Sequence, residues 1–309
     1  MNQDAEMLEF RPIDTDSMER IMPYLKLHTE RSCDFSYGGL LMWVDMFKYE
    51  YAIHNDTLYI KGLTPGDGEH MEKRVSFSFP LGSAPLAESI ALLKSWCDVK
   101  GIPLVFSSVT PQGVESLMKY GGRQAIELIS WEDYIYDASQ LATLVGKKMS
   151  KKRNHVNQFK AHYPDYEFQF MSPEDIKEIR NAINKDIAQD ASQSEEAQNE
   201  LKLSETLLAE VEKNNKYLFG AILKTEGKIV AYTIGDIIND TLFVHVEKAE
   251  RNIIGSFEMI NHCFAAAMVS RYPNITFINR EDDAGDPGLR LAKQSYHPLY
   301  LLKKFNVLF

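Results

Sequence analysis

Residues 217–250 read "YLFGAILKTEGKIVAYTIGDIINDTLFVHVEKAE": three runs rich in β-branched and aromatic residues, parted by Glu226-Gly227 and Asn239-Asp240. Each run has strand length and each parting pair has turn chemistry, so the stretch predicts three consecutive strands joined by hairpins. The third run carries "NDTLFVHV" at 239–246, and the chain holds "NDTLYIKG" at 55–62. An echo of this length around a hairpin is weak alone, because Asn and Asp favour turns anyway. The elements around it give it weight. Upstream, "LEFRPID" is a short strand, Asp14 or Asp16 caps a helix through "SMERIMPYLKLH", and "FSYGGLLMWVDMF" is a second, apolar helix. "YEYAIHNDTLYIKGL" is a hairpin and "VSFSFPLG" a third strand; "LAESIALLKSWCDVKG" is a helix stopped by Gly101. "IPLVFSSV" is a buried-type strand, "TPQGVESLMKYG" a helix, and "RQAIELISWEDYIYD" supplies closing strands.

The second half repeats this order. "YEFQFM" is a strand, "SPEDIKEIRNAINKDI" and "SETLLAEVEKNN" are helices around an acidic stretch, "QDASQSEEAQNE", read as an exposed loop or weak helix. After the three strands come a helix, "GSFEMINHCFAAAMVSRY", a strand, "NITFINRE", a helix, "PGLRLAKQSY", and a last strand, "LYLLKKFNVLF". Each half thus reads strand, two helices, three strands, helix, strand, helix, strand. Shared order is the signature of an internal repeat, and it predicts an α/β fold (α+β, mixed sheet) made of two copies of one unit. The expected division is 1–145, a basic linking helix at 146–163, and 164–309.

The chain has 309 residues and a formal net charge of -10. Its 44% apolar and 25% charged content is that of an ordinary globular protein. Three scattered cysteines, Cys33, Cys97 and Cys263, argue against a disulfide framework and lack zinc-ligand spacing. No secretory signal is readable and no apolar run approaches the ~20 residues of a membrane-spanning helix, so the expectation is a cytoplasmic protein that meets lipid only peripherally. Net acidity disfavours a general nucleic-acid coat but leaves room for one local basic site.

That site is "GKKMSKKRNHVNQF", residues 146–159, where five of the seven residues from Lys147 to Arg153 are basic. As a helix it places Val145, Met149, Val156, Phe159 and Tyr163 on one apolar stripe. Lys147, Lys148, Lys151, Lys152 and Arg153 then flank that stripe or stand opposite it. Such a helix beside a cleft could hold the phosphates of a tRNA acceptor end, a CoA or an anionic lipid headgroup; it could equally be a solvated face balancing acidic neighbours. No aromatic residues interleave with the basic ones, so base-stacking recognition is not supported.

Three segments carry a resemblance: "GKKMSKKRNHVNQFKAHYP", "VHVEKAE" followed by "GSFEMIN", and "INREDDAGDPGLRLAKQSYHP". Together they resemble the soluble C-terminal domain family of the phosphatidylglycerol lysyltransferases. The element order is similar to the GNAT-type acyltransferase fold, duplicated as in the Fem-type aminoacyltransferases. The membrane-spanning part of the full lysyltransferases has no counterpart in these residues. The resemblance implies an aminoacyl- or acyl-group transferase acting by direct transfer from an activated ester or thioester to an amine or hydroxyl. No resident cofactor is required, and aminoacyl-tRNA or acyl-CoA would be the donor.

Site residues follow from the same resemblance. Acetyl-CoA-dependent relatives bind pyrophosphate where a strand meets a Gly-containing helix start. Here "RNIIGS" keeps Gly255 and Ser256 but not the fuller fingerprint, since Arg251 stands one residue too far from Gly255. Lys147, Lys151, Lys152, Arg153, Gly255 and Ser256 are therefore the expected donor-phosphate contacts. Glu247 would be the general base that an alkylammonium acceptor needs, or else the partner of Lys248 or Arg251. Tyr296 would protonate the leaving group, or else be a buried structural tyrosine. Alternation puts Asn279 and Glu281 on one face of a strand and Arg280 on the other. Arg280, Glu281, Asp282, Arg290 and Lys293 are the expected substrate contacts: carboxylates for a cationic amino group, Arg290 and Lys293 for a carbonyl or phosphate. Asp286 reads as the cap of the helix that starts at Pro287. No Ca-loop, P-loop, metalloprotease or nucleophile-elbow pattern occurs, and no metal site is expected. Two other readings stay open: an acetyl-CoA-dependent N-acetyltransferase, and a non-catalytic binding module on the same scaffold.

Overall fold

The computed structural model describes residues 8–64, 74–181, 195–213 and 216–309. The chain divides into two compact units. One comprises Met1–Phe35, Trp43–Asp133 and Leu302–Phe309; the other comprises Ser36–Met42 and Tyr134–Leu301. Sequence reasoning drew its boundaries at 145 and 163, and the difference lies in three segments, one of them residues 134–145, which count with the second unit. The first turns of the helix Tyr37–Phe47 count with the second unit, and the last strand of the chain counts with the first. Main-chain pairing, not order along the chain, decides where a strand belongs.

In the first unit the strands lie in the order Arg11–Pro12, Glu50–His54, Thr57–Thr64, Arg74–Phe77, Val105–Val109, Phe305–Leu308, Gln124–Glu127. All neighbours are antiparallel except Arg74–Phe77 and Val105–Val109, which run parallel and meet at Phe77↔Phe106. A helix capped by Asp14, whose carboxylate accepts the Ser17 N–H at 2.8 Å, opens the unit. Phe77, Leu93, Phe106, Leu117 and Val307 are wholly buried in its core.

The second unit has the strand order Glu167–Phe170, Leu218–Thr225, Lys228–Ile238, Thr241–Ala249, Phe277–Asn279, Asp133–Asp137, Tyr300–Leu302. Again one parallel pair stands at the fourth and fifth places, Thr241–Ala249 with Phe277–Asn279. The two sheets are therefore similarly arranged, with mixed strands and helical connections. The three-strand reading of 217–250 holds, and its turns close with left-handed Glu226, Gly227 and Asn239. The helix Ser256–Arg271 lays Met259, Ile260, Phe264 and Met268 on the sheet.

Sequence and structure part in four local places. The segment read as one last strand, "LYLLKKFNVLF", is two, Tyr300–Leu302 in the sheet of the second unit and Phe305–Leu308 in that of the first. A helix over Ala138–Thr143, capped by the Asp137 carboxylate on the Gln140 N–H at 2.8 Å, occupies residues that directly follow the closing strands. At six residues it is too short for periodicity to reveal it. The basic helix runs Ser150–His162 rather than from 146, because Leu144 and Gly146 both take left-handed backbone conformations. Val145 consequently leaves the apolar stripe and is 69% exposed, while Met149, Val156 and Phe159 are buried. Finally, Glu195–Glu212 is one helix, so the stretch read as a loop or weak helix is helical from Glu195. The remainder of that reading and the end of the preceding helix, 182–194, lie outside the described residues.

Candidate functional site

In the second unit the parallel pairing of Thr241–Ala249 with its neighbour spans only Thr241↔Phe277 to Phe243↔Asn279. Beyond it the two chains part, leaving a wedge that main-chain bonding does not fill. On the other side the ladder shifts register between Ile234 and Gly235. Gly235 permits this shift, since a Cβ there would meet the Phe243 carbonyl oxygen at 2.2 Å.

Side chains meet across the wedge. Arg280 Nη2 donates to Glu247 Oε1 at 2.9 Å, and Asn261 Nδ2 donates to Glu247 Oε2 at 2.8 Å. Burial opposes the Arg280 charge most strongly, but Glu247 together with Tyr136, Tyr296 and Glu258 more than offsets it, so the guanidinium pKa lies above its ordinary value. Arg280 Nη1 is buried and has no hydrogen-bond partner among the described residues. The guanidinium also lies over the ring of Tyr296, 4.7 Å from its centroid, and 5.8 Å from that of Tyr136. Tyr296 is 4% exposed; burial lifts its phenol pKa well above the usual value against the opposing pull of Arg280, so the proton is retained at neutral pH. Lys152 Nζ caps the same ring at 4.0 Å and donates to Glu258 at 3.2 Å, where His155 also approaches at 3.0 Å.

Glu247, Arg280 and Tyr296, predicted separately, thus come together with Lys152. The other expected residues lie around them. Strand alternation ends at Asn279, and Glu281 takes a left-handed φ of 57°. Glu281 therefore turns to His245 Nδ1 at 2.6 Å, on the strand that Arg280 also faces. The Asp282 carboxylate accepts the Ala284 N–H at 2.8 Å and holds the bend after the strand. Lys293 is buried and donates to the carbonyls of Arg280 and Asp282, clamping that bend. Arg290 makes a two-pronged pair with Asp283 at 2.8 and 2.9 Å, which holds the Asp283 carboxyl down at about 2; Tyr134 donates to the same carboxylate at 2.7 Å. Asp286 caps its helix on the Leu289 N–H at 2.6 Å.

Of the donor-phosphate set, Lys147 and Lys151 are exposed. Arg153 turns back to the carbonyls of Leu144 and Gly146, closing the turn before its own helix. Gly255 has a φ of 75°, and a Cβ there would meet the His155 carbonyl oxygen at 2.4 Å, so glycine lets the helix Ser256–Arg271 start against the basic helix. The Ser256 hydroxyl is used by the loop, donating to the Ile253 and Glu250 carbonyls at 2.9 and 3.1 Å.

Sequence reasoning missed the His245 cluster. Its imidazole lies between Glu281 and Asp236, whose Oδ1 is 3.3 Å from Nε2, and the other Asp236 oxygen accepts the Gly38 N–H at 2.8 Å. A His and a Glu two apart on one strand was the available signal, since both then face the same side.

Comparison with known proteins agrees with this architecture. A conserved protein of unknown function from Bacteroides thetaiotaomicron is 31% identical over 98% of this chain and 100% of its own, with a TM-score of 0.88. L-PGS from Bacillus licheniformis shares the fold at a TM-score of 0.64 and 15% identity, over 96% of this chain and 91% of that one. FemX gives 0.61 at 9% identity over 98% of both. An uncharacterised protein of Mycoplasmoides gallisepticum is 23% identical over 185 residues, which is 59% of this chain and only 58% of that relative's length. Among the described residues no helix is long and apolar enough to cross a membrane. The family described as "phosphatidylglycerol lysyltransferase, C-terminal" matches residues 25–308, and the chain belongs to it.

Proposed function

We propose that the chain is an aminoacyl- or acyl-group transferase whose reaction takes place in the wedge of the second unit, on a unit that arose by duplication. The family and fold likenesses point to the GNAT- and Fem-type transferase superfamily. The observation that carries the reading is the buried Arg280 Nη1, left without a partner beside Glu247 and Tyr296. A buried donor left unpaired is costly and rare, and such sites are where ligands or transition states supply the missing acceptor.

In this reading an activated ester places its carbonyl oxygen at Nη1. The acceptor amine or hydroxyl attacks the carbonyl carbon and gives its proton to Glu247. The electron pair moves to oxygen, and Arg280 holds the resulting oxyanion. Collapse expels the donor oxygen, which takes the Tyr296 proton. Arg280, rather than Arg290 or Lys293, then stabilises the developing charge, and no covalent enzyme intermediate is needed. The exposed Lys147 and Lys151 would meet donor phosphates or an anionic lipid surface near the same helix. Aminoacyl-tRNA is the favoured donor; acyl-CoA is the alternative.

The test is transfer of a radiolabelled aminoacyl group from a panel of charged tRNAs to phosphatidylglycerol vesicles or to free amines, with acetyl-CoA run in parallel. Arg280→Lys keeps a buried cation on Glu247 but loses the second nitrogen, so transfer should fall about 10²- to 10³-fold, as when an oxyanion donor is removed. Undiminished transfer by a folded Arg280→Lys protein overturns the assignment.

A further inference from the structure

The buried face of the helix Ser256–Arg271 is largely apolar, through Met259, Ile260, Phe264, Ala265 and Met268, and Asn261 interrupts it. That residue is 3% exposed. Its amide brings two N–H donors and an acceptor oxygen into an apolar setting, where each needs a partner. Nδ2 has one, donating to Glu247 Oε2 at 2.8 Å. An ionised carboxylate only accepts, so the network fixes the amide with its nitrogen towards Glu247 and its oxygen away.

Oδ1, on the same carbon as that nitrogen, is buried and has no hydrogen-bond partner among the described residues. Arg280 Nη1 is in the same condition, next to the Nη2 that holds Glu247 Oε1. Each oxygen of Glu247 thus has a neighbour with one hydrogen-bonding atom left over: a donor at Oε1 and an acceptor at Oε2. The two surplus atoms suit different parts of one reaction. Nη1 suits a developing oxyanion, as assigned above. Oδ1 repels an oxyanion and needs a hydrogen, and beside a general base the group that brings hydrogen is the nucleophile.

An attacking hydroxyl carries a single hydrogen. Glu247 takes it, and the oxygen then offers Oδ1 only lone pairs. A neutral primary amine carries two hydrogens, one for Glu247 and one for Oδ1. Resting on the transferase reading above, we propose that Asn261 is a specificity-determining contact that makes the acceptor a primary amine rather than an alcohol. The amine nitrogen forms the new N–C bond and the ester C–O bond breaks. One N–H proton passes to Glu247, and the leaving oxygen takes the Tyr296 proton, so the net charge of the site is unchanged. The other hydrogen stays on nitrogen, bonded to Oδ1, and leaves with the amide product.

Methylamine, methanol and dimethylamine test this as acceptors. Methanol matches methylamine in size and dimethylamine matches it in element, yet each brings one hydrogen on the attacking atom where methylamine brings two. Labelled charged tRNAs are the donors, and chromatography separates the methylamide, methyl ester and dimethylamide. Each rate is divided by its uncatalysed rate, with the amines counted as their neutral fraction. The wild type should favour methylamine over both others about tenfold or more, as when one partner of a buried hydrogen bond is missing. Asn261→Leu is of similar size and has no acceptor, so it should lower all three rates and bring both ratios towards unity. A merely structural Asn261 would lower the three rates together and leave the ratios unchanged, which overturns the proposal. Wild-type ratios near unity also overturn it, whether or not the variant folds. Absence of transfer to all three overturns the transferase reading itself, and the proposal with it.

Discussion

His245 gives the sharpest measurement. It is fully buried in the second unit between Asp236 and Glu281, at 3.3 and 2.6 Å. Burial alone would strip its proton, but the two carboxylates prevail and raise its pKa from 6.5 to about 10. A histidine whose folded pKa is raised adds stability that is fully present below pH 6.5 and is lost as the pH climbs towards 10. At about 1.4 kcal/mol per pH unit that interval bounds the loss at about 5 kcal/mol. The perturbation is His245→Gln, which can still hydrogen-bond but carries no charge. It should cost about 3–5 kcal/mol at pH 6.5, since it leaves two buried carboxylates without their cation. It should also flatten the pH dependence between 6.5 and 10. Urea unfolding followed by far-UV circular dichroism at four pH values across that range, in both proteins, gives the slopes. Parallel slopes in wild type and His245→Gln would refute a charged imidazole, because the titrating group would then lie elsewhere.

Gly255→Ala forces a Cβ onto the His155 carbonyl at a left-handed position, and should destabilise by about 2–4 kcal/mol from handedness and overpacking together; thermal unfolding checks it. Tyr296→Phe and Glu247→Gln should each lower aminoacyl transfer about 10²- to 10⁴-fold with little change in donor binding; single-turnover assays separate the two effects. Lys147→Ala with Lys151→Ala should weaken tRNA binding and reduce its salt slope by roughly one for each phosphate that the lysines no longer neutralise, measured by filter binding at several salt concentrations. Arg153→Ala should instead cost about 1.5–3 kcal/mol of stability through its two carbonyl hydrogen bonds, with less effect on that slope.

Period and turn chemistry made most of the fold legible. The Asn-Asp and Glu-Gly turns, the Asp14 cap and the Pro111 and Pro287 helix starts are local signals, and each stands where the residues place it. What local signals cannot carry is pairing partners. Nothing in "LYLLKKFNVLF" says that Phe305–Leu308 pairs beside Val105–Val109, because main-chain hydrogen bonds are indifferent to chain distance. The site was legible as residue types but not as geometry. Alternation assigned Arg280 and Glu281 to opposite faces of a strand. The strand ends at Asn279, and the left-handed Glu281 cancels the period of two.

Lysine and arginine in this chain show why a basic count could not resolve binding from scaffolding. In the stretch from Lys147 to Arg153, Lys152 and Arg153 turn inward, one to Tyr296 and Glu258, the other to backbone carbonyls. Lys293 clamps a bend, and Lys304 is buried among two carboxylates and a thiol. Each satisfied cation stiffens the frame and leaves the ligand nothing to pair with. Arg280 differs because its planar fork has more donors than its neighbours can accept: Glu247 takes one nitrogen and the other is left over. A lysine there could rotate its whole charge onto Glu247. The guanidinium cannot, so the surplus donor is fixed in direction before any substrate arrives, and that is the property a transition-state contact requires.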